Sequence, residues 1–364
     1  MLLNEDQILL RDTVRSALEG TITPEYRTSK ASPLLPIDTQ VLSLLDSIAL
    51  SESFIGPDAP YTLAELGVVA SEFGRVLLPV PILEHLTCNL VANHPSLKGD
   101  SYLAQAYPLF GTGVTVASPA VCSVEARSVE VAEKESAWEA SGTVSALATL
   151  SAPTSVIVWQ KAAPDANEPG AYLVPRDNAS NSITSTRATS IDLLTPLESL
   201  TLSSARAYPL GKNASTLLLA ALRVMVANEC SGISQYVIEK SCEYVKTREQ
   251  YGVPVGGFQA LQHTIANSAV ETESLRALAS FAAWCLAASP EQVPLTSRTA
   301  LARAITVAPA VCERAIQVHG GIGFTWEFEL HHYLRRAKAR SIQWGGTADN
   351  ASTVSLADQI LAVA

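Results

Sequence analysis

Two short stretches in the last third of the chain carry residue types suited to gripping an anion. The first is Arg248-Glu249-Gln250-Tyr251-Gly252-Val253-Pro254, followed by Phe258-Gln259. An arginine stands at the end of a long helical pattern, a Gly-Pro turn follows, and Gln259 opens the next helical run. Arg can hold a pyrophosphate through two parallel N–H donors, and a helix start offers unpaired backbone N–H groups to phosphate. The same spacing suits an arginine that only offsets the negative end of its own helix. The second stretch is Gln317-Val318-His319-Gly320-Gly321-Ile322-Gly323-Phe324-Thr325-Trp326-Glu327. Its glycines let a backbone approach a ligand closely, and the Gln317 amide both donates and accepts. A helix–helix connection needing positive φ accounts for the glycines equally well.

The elements that position these stretches are legible from periodicity. From Asn4 to about Leu90 the pattern is helical: Asn4 and Gln7 make a capping-box pair, and Ile8, Leu9, Val14 and Leu18 repeat at helical spacing. A second run from Leu63 to Leu78 has Leu66, Val69, Ala70, Phe73 and Val76 as its stripe and stops before Pro79 and Pro81. Between Tyr107 and Ala205 the period changes to two. Val129, Val131, Val156, Ile157, Val158, Tyr172, Leu173 and Val174 sit in short runs broken by Gly, Pro, Ser, Asn and Asp. From Asn213 onward Leu219, Leu222, Val226, Cys230, Ile233 and Val237 form one long buried stripe. Helices are expected again near Phe258, over Thr296–Val318 and over Phe328–Arg340. The order predicts a mainly helical α+β chain in three parts: helical over 1–106, a β-barrel or sandwich over 107–206, and a helical bundle over 207–364. Strands and helices do not alternate, which excludes a doubly wound sheet.

Composition bounds the rest. The 364 residues are 48% hydrophobic and 16% charged, with a net charge of −10, which argues against a nucleic-acid partner. No run of about 18 uninterrupted apolar residues occurs, so no membrane span is expected. Acids rather than Lys or Arg occupy the first residues, so the cytoplasm is the expected compartment. Cys88, Cys122, Cys230, Cys242, Cys285 and Cys312 share no metal-ligand spacing and read as buried free thiols. His331 and His332 lack any such spacing too, and no metal is implied. The basic run Arg335, Arg336, Lys338 and Arg340 reads as a solvated or interface helix face.

Taken together, the two anion-suited stretches resemble the C-terminal helical domain of the acyl-CoA dehydrogenase family. That family carries an Arg-x-x-Phe-Gly-x-Pro-(x)-Phe-Gln segment and a Gln-x-x-Gly-Gly-x-Gly-(aromatic) segment; Tyr251 here replaces the usual Phe. Phe328 to Arg340 continues the resemblance, as do Asp6 to Val14, Leu66 to Pro81, Tyr172 to Pro175 and Asp192 to Leu197. The resemblance implies an N-terminal helical domain, a middle β domain and a C-terminal four-helix bundle. It also implies FAD at a subunit interface, with the neighbour's bundle touching the adenosine diphosphate part. Those contacts map onto Arg248, Tyr251, Gln259, Gln317, Val318, His319, Gly320 and Gly321.

The family reaction removes an α-proton from an acyl thioester and sends the β-hydrogen to flavin as hydride, which needs a carboxylate base. One family position for it is the Glu of a Tyr-Glu-Gly-Thr-like segment; the matching segment here is Trp344-Gly345-Gly346-Thr347, with Gly345 at the acid's place. The other is a Glu before an Arg on the long helix, matched here by Leu222 before Arg223. Neither is an acid. Asp349 and Glu229 are the nearest substitutes in sequence. The ring-side segments are also altered: Val116-Ala117-Ser118-Pro119 stands for a Thr-Glu-Pro-like stretch. Ala140 to Leu147 lacks the family's Lys and aromatic.

The pattern resembles the non-catalytic chain of bacterial heteromeric acyl-CoA dehydrogenases, α2β2 assemblies acting on CoA esters of steroid side chains. It implies a second acyl-CoA dehydrogenase chain carrying the catalytic Glu, an acyl-CoA substrate, and electron-transfer flavoprotein as acceptor. Two alternatives stay open: a scaffold or regulator without FAD, and a self-sufficient flavin oxidase or dehydrogenase using Asp349.

Overall fold

A computed structural model describes residues 3–31, 39–54, 59–79, 82–106, 120–121, 129–134, 137–147, 155–160, 170–176, 182–195 and 197–344. Among the described residues, seven α-helices come first: α1 Glu5–Thr21, α2 Pro24–Lys30, α3 Thr39–Ser47, α4 Leu50–Phe54, α5 Leu63–Val76, α6 Ile82–Ala92 and α7 Ser101–Ala106. The Asn4–Gln7 box caps α1 as expected, the Gln7 N–H donating to Asn4 Oδ1 at 2.8 Å. The apolar stripe of α1 differs from the expected one. Leu10, Val14 and Leu18 face inward, whereas Ile8 is 39% and Leu9 68% exposed. A strict four-residue step from Leu10 stays on one face, and Ile8 and Leu9 fall outside it. In α5 the stripe from Leu66 to Val76 is buried as read, and the helix ends on Leu77 in the left-handed conformation, before Pro79.

Seven strands follow among the described residues: β1 Ala120–Val121, β2 Val129–Lys134, β3 Ala137–Leu147, β4 Ser155–Gln160, β5 Gly170–Pro175, β6 Ile183–Ala188 and β7 Leu197–Pro209. They pair in the order β1-β4-β5-β7-β3-β2, with β6 also on β7; all pairs are antiparallel except β1 with β4. Alternation along β4 and β5 splits their side chains between two cores. Ile157, Trp159, Ala171 and Leu173 join the core shared with the helices, while Val156, Val158, Tyr172 and Val174 fill a separate core within the sheet.

The C-terminal part consists of α8 Lys212–Thr247, a hairpin of β8 Glu249–Gln250 and β9 Val253–Pro254, then α9 Gln259–Ala288, α10 Val293–His319 and α11 Leu330–Gln343. By length and composition α8 could cross a membrane, yet 83% of its apolar window is buried inside this protein. It is the central helix, packed against α5, α6, α9, α10 and α11. At the α5–α8 crossing the two backbones touch: a Cβ on Gly232 would sit 1.8 Å from the Ser71 carbonyl oxygen. A Cβ on Gly74 would sit 2.0 Å from that of Glu229. Backbone against backbone cannot give way as a side-chain tip can, so glycine sets the crossing distance.

Gly232→Ala should therefore cost about 3 kcal/mol or more, the upper end of core overpacking. Gly20→Ala, in α1 with nothing within 4 Å of the added methyl, should stabilise by about 1 kcal/mol. Urea melts of the two variants check both signs.

Candidate functional site

The Arg248 stretch folds as a tight hairpin. Glu249 pairs with Pro254 and Gln250 with Val253, and the two turn residues both have positive φ, Tyr251 at 53° and Gly252 at 80°. Two successive left-handed residues match the twist of a two-residue hairpin loop, and glycine at the second relieves half the strain. The turn thrusts Tyr251 out, 95% exposed, with only an edge contact to the Phe258 ring at 6.4 Å. Arg248 caps the C-terminus of α8, exposed, and its guanidinium has no carboxylate partner among the described residues. Gln259 opens α9 and is exposed.

A small apolar cluster of Val245, Val255 and Val318 ties this hairpin to the end of α10. The Tyr244 hydroxyl also donates to the His319 carbonyl at 3.2 Å. Gln317 faces out, whereas Val318 and His319 turn inward, so their side chains cannot contribute to an external contact as the resemblance implied. His319 Nδ1 donates to the Ala315 carbonyl at 2.7 Å, and its ring packs on Tyr244 and Phe328. Only the backbone remains available at these two positions. Gly320 needs its φ of 62°, but a Cβ on Gly321 would meet nothing within 4 Å and no positive φ demands glycine there. Nothing inside the chain crowds Gly321; a ligand or partner backbone lying against it would. Arg248, Gln259, Gln317 and the open glycines thus fit the phosphate-bearing tail of a dinucleotide. Around them stand exposed apolar side chains: Val253, Phe258, Ile322, Phe324 (70%) and Trp326 (55%).

The acid side is different. Leu222 is buried on α8, and Gly345, Asp349 and Val116–Pro119 lie outside the described residues. Glu229 is 2% exposed and wholly committed: Arg336 Nη1 donates to one oxygen at 2.8 Å and Arg340 Nε to the other at 2.7 Å. Arg336 Nε also reaches Asp192, and Arg340 Nη1 donates to Glu84 at 2.7 Å. Burial alone would raise the Glu229 pKa, but the two guanidinium groups outweigh it and hold the carboxylate below its ordinary value. A carboxylate so held, each oxygen accepting from a buried guanidinium, is a poor base. The basic run is corrected by the same contacts. Arg335 and Lys338 are partly exposed, but Arg336 and Arg340 are buried, because α11 lays its inner face on three acids.

His331 and His332 lie side by side at the start of α11. Their rings pack 3.9 Å apart with all four nitrogens buried and unpartnered, and no group of three metal-ligating side chains occurs among the described residues. Burial, then the neighbouring His331, pushes His332 down to about 4. Free thiols are found at Cys88, Cys230, Cys242, Cys285 and Cys312, all buried except the half-buried Cys242; Cys122 lies outside the described residues.

Sequence reading missed a cavity of about 710 Å³ between β5, the start of α8 and the start of α10. Lys212, Arg223 and Arg298 line it beside Trp138 and Tyr172, whose rings stand 5.5 Å apart. Cations beside aromatic faces suit an anion carrying a flat group. The only local signal was Gly211, with φ of 78°, immediately before Lys212.

Residues 211–355 match the model of the acyl-CoA dehydrogenase C-terminal domain. Acyl-CoA dehydrogenase FadE34 of Mycobacterium tuberculosis is 30% identical over 277 residues, 76% of this chain. The chain spans about a third of that relative's own length, 35%. Among solved structures, a variant of the Tcur3481–Tcur3483 steroid ACAD superposes with a TM-score of 0.82 at 24% identity, covering 98% of each chain. The ChsE4–ChsE5 complex from Mycobacterium tuberculosis superposes at 0.79 and 19% identity, covering 99% of this chain and 97% of that one. At such identities the structural likeness establishes the fold, that of the acyl-CoA dehydrogenases.

The buried histidines give an acid sensitivity of definite sign. The folded state keeps His332 neutral down to about pH 4, while the unfolded chain protonates it near 6.5, so stability is full above 6.5 and falls as pH drops from 6.5 toward 4. Melting temperature against pH should show that slope, and His332→Leu should flatten it; an unchanged slope would place the acid sensitivity elsewhere.

Proposed function

Because the chain belongs to the acyl-CoA dehydrogenase family, whose members are FAD-binding oxidoreductases acting on acyl-CoA, we propose that it serves as the non-catalytic subunit of a heteromeric enzyme. Its bundle end clasps the adenosine diphosphate tail of FAD, and a second acyl-CoA dehydrogenase chain supplies the flavin-ring pocket and the catalytic glutamate. The observation that carries this reading is the contrast between two sets of residues. Arg248, Gln259, Gln317 and Gly321 point outward and unfilled, ringed by exposed Tyr251, Phe324 and Trp326, while Glu229 is locked between two arginines.

Bound FAD would supply the hydride acceptor for α,β-dehydrogenation of the thioester. This chain's own part is to neutralise pyrophosphate charge with Arg248, fix the tail with the Gln259 and Gln317 amides, and exclude water through the apolar rim. Two solved relatives support the heteromeric arrangement by what they are called, one a ChsE4–ChsE5 complex and the other a steroid ACAD pair. A steroid side-chain CoA ester is therefore the substrate we propose, in an α2β2 assembly in the cytoplasm, with electron-transfer flavoprotein as acceptor.

Expression of the chain alone and together with a catalytic acyl-CoA dehydrogenase chain tests this. Flavin colour and turnover should appear only in the pair, at one FAD per pair, and Arg248→Ala in this chain should strip flavin from the complex. Turnover by the lone chain would overturn the proposal; a colourless but intact pair would reduce this chain to a scaffold.

A further inference from the structure

A second cavity, of about 130 Å³, lies where α1 and α5 meet α8 and α9, and it shares no residue with the tail-binding face or with the cavity at Lys212. Three arginines line it: Arg11, Arg15 and Arg276. Each is gripped by its own carboxylate through the same two nitrogens. Arg15 uses Nε and Nη2 on Glu72 at 2.7 and 2.8 Å. Arg276 uses the same pair on Glu273, and Arg11 uses it on Asp12. In all three, Nη1 is the group left without a carboxylate among the described residues. The arginines are thus paired in advance, Arg15 most firmly because Glu72 is buried, and this lowers the ordering cost of taking an anion.

The remaining wall is of two kinds. Ala64, Val68, Ala283 and Trp284 give an apolar side, and Asn228 and Ser231, 5% and 1% exposed, give a polar floor beside the buried Glu72 carboxylate, which Arg15 already matches. The Asn228 amide N–H groups are spent on the carbonyls of Val224 and Ala279, so its oxygen is the part left over. The volume approaches that of an engineered cavity of about 150 Å³ that accepts benzene. We infer that this cavity is a binding site for a small carboxylate with an apolar body the size of one ring or a short chain. Bare phosphate would leave the apolar side unfilled, and a neutral molecule would leave the Nη1 donors unused.

The test is titration of the full-length chain with benzoate and hexanoate, each against its neutral amide and against inorganic phosphate, read by tryptophan fluorescence, to which Trp284 in the wall contributes. The carboxylates should give a saturable change, and each amide should bind at least about tenfold more weakly, the loss expected for one charge-assisted hydrogen bond. Arg276→Gln, a side chain 38% exposed whose salt-bridge partner among the described residues is Glu273 on its own helix, should weaken the carboxylates by a similar factor. Ser280→Phe, which fills the space, should abolish the response. Equal affinity for acid and amide, a response to phosphate alone, indifference to Arg276→Gln, or no saturable change with any carboxylate would each overturn the inference.

Discussion

Arg336 and Arg340 leave α11 one turn apart and reach acids from three separate parts of the chain: Glu84 on α6, Glu229 on α8 and Asp192 in the connection between β6 and β7. All five side chains are buried. Removing one member of such a network strands a charge out of water, at a cost of about 3–5 kcal/mol. This network therefore joins the N-terminal helices, the sheet and the bundle to one helix, the one leading into Trp344 and Gly345, alongside the apolar core that the three parts share. A second clamp works alongside it. Arg27 stands 5.7 and 5.6 Å from the centroids of the Tyr236 and Tyr333 rings, which stack on each other at 4.7 Å, and pairs with Glu329, fastening α2 to the bundle.

The network has a functional consequence. The acid nearest the family's helix-borne base position is consumed in holding the molecule together, so geometry as well as residue identity removes it from proton transfer. At the bundle's end the situation is reversed. Arg248 finds no acid among the described residues, Tyr251 stands almost fully in solvent on a strained turn, and Gly321 has empty space where a side chain could sit. Polar groups left unmatched on a face rimmed with aromatic rings are the features of a surface completed by something else.

How much of this was legible depends on the range of the interactions. The α1 cap, the α8 stripe and the placing of Arg248 at the end of one helix and Gln259 at the start of the next are local patterns, set by residues a few positions apart, and they appear as read. The inward turn of Arg336 and Arg340 was not legible, because their partner Glu229 lies 107 and 111 residues away and a basic run looks the same whether it meets water or acids. Val318 and His319 share a motif with Gln317, but helical rotation sends them into the core. Ile8 and Leu9 look like a stripe until α5 fixes which side of α1 is covered. The two cavities are assembled from distant helices and strands and leave almost no trace in any one segment.

The central claim is that this chain offers a nucleotide-tail clasp without a base for the thioester. Solvent deuterium exchange measures the base directly, and needs neither flavin reduction nor an electron acceptor. The purified chain is incubated with a saturated acyl-CoA in deuterated buffer and the α-protons are followed by NMR. They should exchange no faster than in buffer alone, while the assembled pair exchanges them readily. Rapid α-exchange by this chain by itself would contradict the account.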